Sequence, residues 1–232
     1  LGTALVLLLS SVQGILSGFR SEQLLSPGFH SDLVMSGLSS EAMALALPIL
    51  CALPYTASFI DDVKSGFIKE YLPRTTVTRY ITGKAVACAV SGGLALTLGI
   101  FIAYGFAVLM FLPMEAFPKP GETVPDYFGN LLQTVLMFFA SGAFWSLTGM
   151  TFAALTDSKY MAYASPFVLF YLLIILYERY FDKLFVLYPR EWLNPSSRWV
   201  FGKIGVAVLL IEFSLLMALA FAYAAKRRLE RI

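Results

Sequence analysis

Histidine, cysteine and charge are all scarce in this chain of 232 residues. A single histidine, His30, excludes a zinc site built on histidines. The two cysteines, Cys51 and Cys88, stand in apolar stretches with no CxxC spacing, so they read as small buried hydrophobes rather than a disulfide framework. No GxxxxGK[ST], HExxH or GxSxG string occurs, so the chain lacks the phosphate-cradling loop and the motif-borne catalytic centres those strings mark. Charged residues make up 14%, against about 25% in an ordinary soluble domain. The net charge of +2 gives no electrostatic footprint for nucleic acid.

Apolar surface is what the chain has in excess. It is 58% hydrophobic with a mean hydropathy of +0.74, more than a single soluble core can hide. A helix rises about 1.5 Å per residue, so about 20 apolar residues cross a bilayer. Six stretches approach that length: 1–18, 42–60, 85–112, 129–154, 161–177 and 204–225. None holds Lys or Arg, and only the last holds an acid, Glu212. Long unbroken runs, rather than alternating ten-residue segments, exclude a strand barrel. The fold class expected is an all-α polytopic membrane protein, one transmembrane domain over 1–232 with six spans. Residue 1 is Leu rather than Met, and the first stretch lacks both the basic start and the cleavage pattern of a secretory signal. It reads as a transmembrane helix cut short.

The connections set the orientation. Ten basic residues, in 64–84, at Lys159 and in the KRRLERI tail, fall on one side, and seven fall on the other. The positive-inside rule then places both termini and the 61–84 loop in the cytoplasm of a prokaryotic plasma membrane. The outer segment 178–203 mixes charges with seven Tyr, Phe and Trp residues, including Trp192 and Trp199. It is expected to form one or two short interfacial or re-entrant helices broken by Pro189 and Pro195.

The cytoplasmic loop is the most informative segment. Asp61 and Asp62 are adjacent, so they face different sides of a helix. They read as charges closing a span or opening a short helix rather than as an acid–base pair. Phe67, Ile68, Tyr71 and Leu72 recur at the spacing of one apolar stripe, rimmed by Lys64, Lys69 and Glu70. Pro73 should stop the helix at Leu72. Such a helix either rests on lipid with its bases at anionic headgroups or docks into a groove on a soluble partner.

A polar Ser65–Gly66 turn, a short helix, Leu72–Pro73–Arg74 and Lys84 opening a long third span together resemble the first cytoplasmic loop of ABC-2-type transporter permeases. Six spans with both ends inside, and an aromatic structured segment before the last span, are similar to that family over the whole chain. The resemblance implies a non-catalytic subunit of an ATP-driven exporter, with no cofactor bound by this chain. ATP and Mg would sit on a separate ATPase dimer, docked on a coupling helix formed by Asp61, Asp62, Lys64, Phe67, Ile68, Lys69, Glu70, Tyr71 and Leu72. A second permease half, identical or not, would complete the path. The expected cargo is amphipathic or hydrophobic, with a peptide or antimicrobial compound preferred.

Other residues carry expectations of their own. Gly14 and Gly18 form a GxxxG that serves either packing within the chain or a dimer seam. An ionised carboxylate at the bilayer centre costs roughly 2.5–3.5 kcal/mol, so Glu212 must be neutralised, paired or wetted. Phe138, Phe139, Phe144 and Trp145 are read chiefly as packing or lipid-facing aromatics and secondarily as part of a substrate path with Glu212. His30 is expected to be solvated in an outer loop, and Pro48 and Pro54 to kink the second span. An ATP-independent channel or carrier would show repeated halves, and an intramembrane enzyme would need clustered ionisable groups at depth; neither pattern is visible in the sequence.

Overall fold

Short polar side chains open several of the helices. Ser40 accepts from the Met43 amide at 3.2 Å, Thr76 from Arg79 at 3.4 Å and Asp126 from Gly129 at 2.9 Å, each satisfying a backbone donor that a helix start leaves unpaired. The computed structural model describes residues 1–20, 24–71, 74–117, 126–181, 184–199 and 201–230. Among these the regular structure is helical, joined by turns and short loops, with one isolated bridge between Leu25 and Glu115. The helices are α1 (Gly2–Ser10), α2 (Val12–Arg20), α3 (Phe29–Leu38), α4 (Glu41–Ala52), α5 (Ser58–Lys64) and α6 (Phe67–Tyr71). They are followed by α7 (Val77–Phe111), α8 (Tyr127–Thr156), α9 (Lys159–Arg179), α10 (Pro189–Leu193) and α11 (Gly202–Leu229).

The all-α polytopic class holds. Helices α7, α8, α9 and α11 are each long and apolar enough to cross a membrane, and two bent pairs raise the number to as many as six. Helices α1 and α2 meet at 56°, and α3 and α4 at 68°, so the first stretch is not one straight span. Serine hydroxyls mark both breaks. Ser10 and Ser11 donate to the Leu7 and Leu33 carbonyls, and Ser40 donates to Gly37 while capping α4. Such side chains offer the backbone partners other than its own helix. Pro48 sits inside α4, whereas Pro54 lies in the turn that separates α4 from α5.

Contacts fix the depth of each piece. Thr3 donates to the Ala95 carbonyl, midway along α7, and Gly18 packs on Phe111 at the end of α7. Leu50 lies beside Gly2, and Thr56 lies beside Gly149 in the last third of α8. The run from α4 through α5 therefore travels along the bundle and delivers α5 and α6 to the end where α7 and α9 begin.

Helix α8 is the axis. Its most apolar stretch is 83% buried within the chain, against 22–39% for the other three long helices. Small residues allow this. A Cβ on Gly142 would stand 2.5 Å from the Gly92 carbonyl oxygen, so α7 and α8 touch backbone to backbone. One turn on, Ser146 donates to the Cys88 carbonyl at 2.7 Å. Close approach through small residues substitutes dispersion and hydrogen bonds for a hydrophobic drive that lipid cannot supply. Cys51 and Cys88 are free and fully buried.

Candidate functional site

At one end of the bundle the chain turns sharply. Gly66 adopts φ +79°, in the left-handed region that favours glycine, and redirects the chain from α5 into α6. Ile68 of α6 is 1% exposed and joins the core cluster of Phe59, Tyr80 and Ile81. The ring of Phe67 stacks on Tyr71 at 5.4 Å, and both rings remain exposed. The expected apolar stripe is thus divided. Ile68 anchors the helix to its own protein and is not free for a partner, while Phe67 and Tyr71 face outward. Lys64, Lys69 and Glu70 are exposed around them. Leu72 lies outside the described residues.

Ion pairs lock this elbow to the bundle. Asp62 pairs with Lys84 of α7 at 2.8 Å and accepts from the Tyr80 hydroxyl at 2.6 Å. The Lys84 ammonium also stands 5.0 Å over the Tyr55 ring. Asp61 pairs with Lys159 at the start of α9. Asp157, whose left-handed φ of 57° turns the chain from α8 into α9, pairs with Arg228 of α11 at 2.5 Å. Asp61 and Asp62 therefore belong to α5 and brace it to the bundle, apart from the short helix α6 that carries Phe67 and Tyr71.

The remaining candidates fall elsewhere. Gly14 closes on Leu33, and Gly18 on Phe111 and Phe29, so the GxxxG face is filled by the chain's own α3 and α7 rather than left as a seam. Phe138, Phe144 and Trp145 are buried, with Phe144 edge-on to Trp145 at 4.7 Å, and Phe139 is half-buried against Gly93. They pack the core of α8 and line no described cavity. Glu212 is exposed on the outward face of α11, between exposed Ile211 and Leu215. It points away from the packed interior.

His30 is a correction. It is 7% exposed, and its Nδ1 lies 2.7 Å from Glu115 Oε1, with the Tyr104 hydroxyl 3.3 Å from Nε2. Glu115 also accepts from the Gly28 and His30 amides at 2.9 and 2.8 Å. The carboxylate thus gathers the start of α3, 85 residues away in sequence, which no local pattern signals.

The segment 178–203 holds short helices at Phe185–Leu187 and Pro189–Leu193. Pro189 starts α10 rather than breaking a helix, because its missing N–H is no loss there. Trp192 is 1% exposed, donates to the Val186 carbonyl at 2.8 Å and reaches Trp145, so α10 is packed against the end of the bundle. Tyr180 and Phe181 stay exposed. Burial and a hydrogen bond to Glu178 push the Tyr188 phenol above its usual pKa.

Among the described residues no three His, Cys, Asp or Glu side chains converge as a metal would require. Comparison with family models, with curated proteins and with solved structures found no match for this chain.

Proposed function

We propose that this chain is the membrane-spanning subunit of an ATP-driven exporter, with α6 as the element that docks on a separate ATPase. The observation that carries this reading is the stacked, exposed Phe67–Tyr71 pair on a short helix tethered by buried Ile68. An apolar face held outward beyond the bundle end, rimmed by Lys64, Lys69 and Glu70, has the chemistry of a plug for a groove. The braces Asp62–Lys84, Asp61–Lys159 and Asp157–Arg228 link α5, α7, α9 and α11 at this end. A push on α6 would reach four helices through packed and ion-paired contacts rather than bend one loop.

The energy source sits on the partner, which binds ATP and Mg and closes as a dimer. Closure draws the docked helices together and rotates two permease halves against each other. The core of α8, filled by Phe138, Phe144 and Trp145, favours a path between halves over one through a single chain. The cargo that suits an apolar, aromatic-rich wall is an amphipathic or hydrophobic molecule such as a peptide. Co-purification with an ATPase subunit and cargo-stimulated ATP hydrolysis in reconstituted membranes test the reading. Phe67→Asp with Tyr71→Asp should abolish that stimulation while the chain still inserts. Full transport with no ATPase present would sink it.

A further inference from the structure

The end of the bundle opposite the ion-paired one holds a cavity of about 380 Å³ between α3, α8, α10 and α11, in the size range of small-molecule sites. Its lining combines apolar Met35, Leu38 and Leu193 with Lys203, Asp32 and the amides of Asn130 and Asn194. The Lys203 ammonium donates to Thr134 Oγ1 at 2.8 Å and, among the described residues, is in no ion pair. Asp32 lines the same cavity and is likewise in no ion pair. Neither asparagine side chain makes a hydrogen bond among the described residues, so both are free to meet a ligand.

A lysine at a helix end normally extends toward the headgroups and water. Lys203, the second residue of α11, instead reaches Thr134, seven residues inside α8 and about 10 Å below its start. The charge is therefore held inside the cavity. A plain anion attracted by Lys203 would be repelled by Asp32, and a plain cation the reverse. A ligand carrying both charges satisfies both walls. The anion must be rich in acceptors, because the Lys203 ammonium only donates, while the Asn130 and Asn194 amides can donate to it or accept from the rest of the ligand. The cation must itself donate hydrogen bonds, because Asp32 only accepts.

We propose that this cavity binds a zwitterionic phosphate ester of the phosphoethanolamine kind, its phosphate on Lys203 and its primary ammonium on Asp32. The apolar lining beside the membrane-length helices α8 and α11 suits the glycerol end of a lipid headgroup, and the free ester shares the same polar chemistry. This site does not depend on any motor docking at the other end of the molecule.

The test is lipid retention by the purified full-length chain in detergent, read by native mass spectrometry. Phosphatidylethanolamine should be retained over phosphatidylcholine, whose quaternary ammonium has no N–H, and over phosphatidylglycerol, which lacks the cation. Lys203→Met and Asp32→Asn should each weaken retention about tenfold or more, and Lys203→Arg should preserve it. Asp32 is exposed, so Asp32→Asn keeps the fold and remains decisive if Lys203→Met does not express. Displacement by free phosphoethanolamine supports a soluble ligand, and failure to displace supports the lipid. Equal retention of phosphatidylcholine, or retention unchanged by both Asp32→Asn and Lys203→Met, overturns the proposal.

Discussion

Gly92 and Gly142 face each other where α7 and α8 cross, and each occupies space that a methyl group would take from the other's backbone. Backbone cannot step aside as a side-chain tip can. Gly142→Leu should therefore force the central helices apart and cost about 1–3 kcal/mol or more, seen as a lower thermal midpoint in detergent. Gly105→Leu, where nothing lies within 4 Å, is the matched control and should leave the midpoint unchanged. Glu115 gives a second expectation. Its carboxylate accepts from two backbone amides and His30, so Glu115→Ala leaves amides at the start of α3 unpaired at about 1–3 kcal/mol per group. Hydrogen exchange over residues 28–35 should speed up, with Glu115→Gln intermediate. Neither feature has a local signature in the sequence. Gly14 and Gly18 stand four residues apart, while Gly92 and Gly142 are 50 residues apart and become neighbours only when α7 and α8 pack.

Single elements were legible in proportion to how far their pattern depends on their own residues. Helices α7, α8, α9 and α11 are continuous apolar runs, and the bilayer alone explains them. The breaks at Ser11 and Ser39–Ser40 were not legible, because a serine in an apolar run is tolerated in a helix unless a neighbour takes its hydroxyl. Helix α6 lies between these cases. Its spacing marks Phe67, Ile68 and Tyr71 as one stripe, but which member turns inward depends on the Gly66 turn and on Phe59, Tyr80 and Ile81 arriving from elsewhere. The two roles separate by mutation. Ile68→Asp buries a charge beside Phe59 and should lower stability by several kcal/mol and deplete the protein from membranes. Phe67→Asp, on an exposed ring, should leave abundance and thermal midpoint near wild type while removing any partner that grips the pair.

On the scale of the molecule, the two ends differ in chemistry, and that difference fixes which side of a membrane each should occupy. Lys84, Lys159 and Arg228 are tied to Asp62, Asp61 and Asp157 at the end that also carries α6, and the exposed basic residues Lys64, Lys69, Arg79 and Arg227 add to it. The other end holds Glu115, α10 and the Lys203 cavity. An excess of fixed positive charge resists translocation, so the α6 end should stay in the cytoplasm. Cys51 and Cys88 are fully buried and provide a silent background for labelling. A cysteine introduced by Glu70→Cys should react with a membrane-impermeant maleimide only in inside-out vesicles, and one introduced by Ser197→Cys only in right-side-out vesicles, both positions being exposed. Both reacting from one side would contradict the bundle itself, since α7, α8 and α9 run between Glu70 and Ser197 and separate them by three passes. The two patterns exchanged would leave the bundle intact but put Phe67 and Tyr71 outside the cell, where no ATP-hydrolysing partner could reach them.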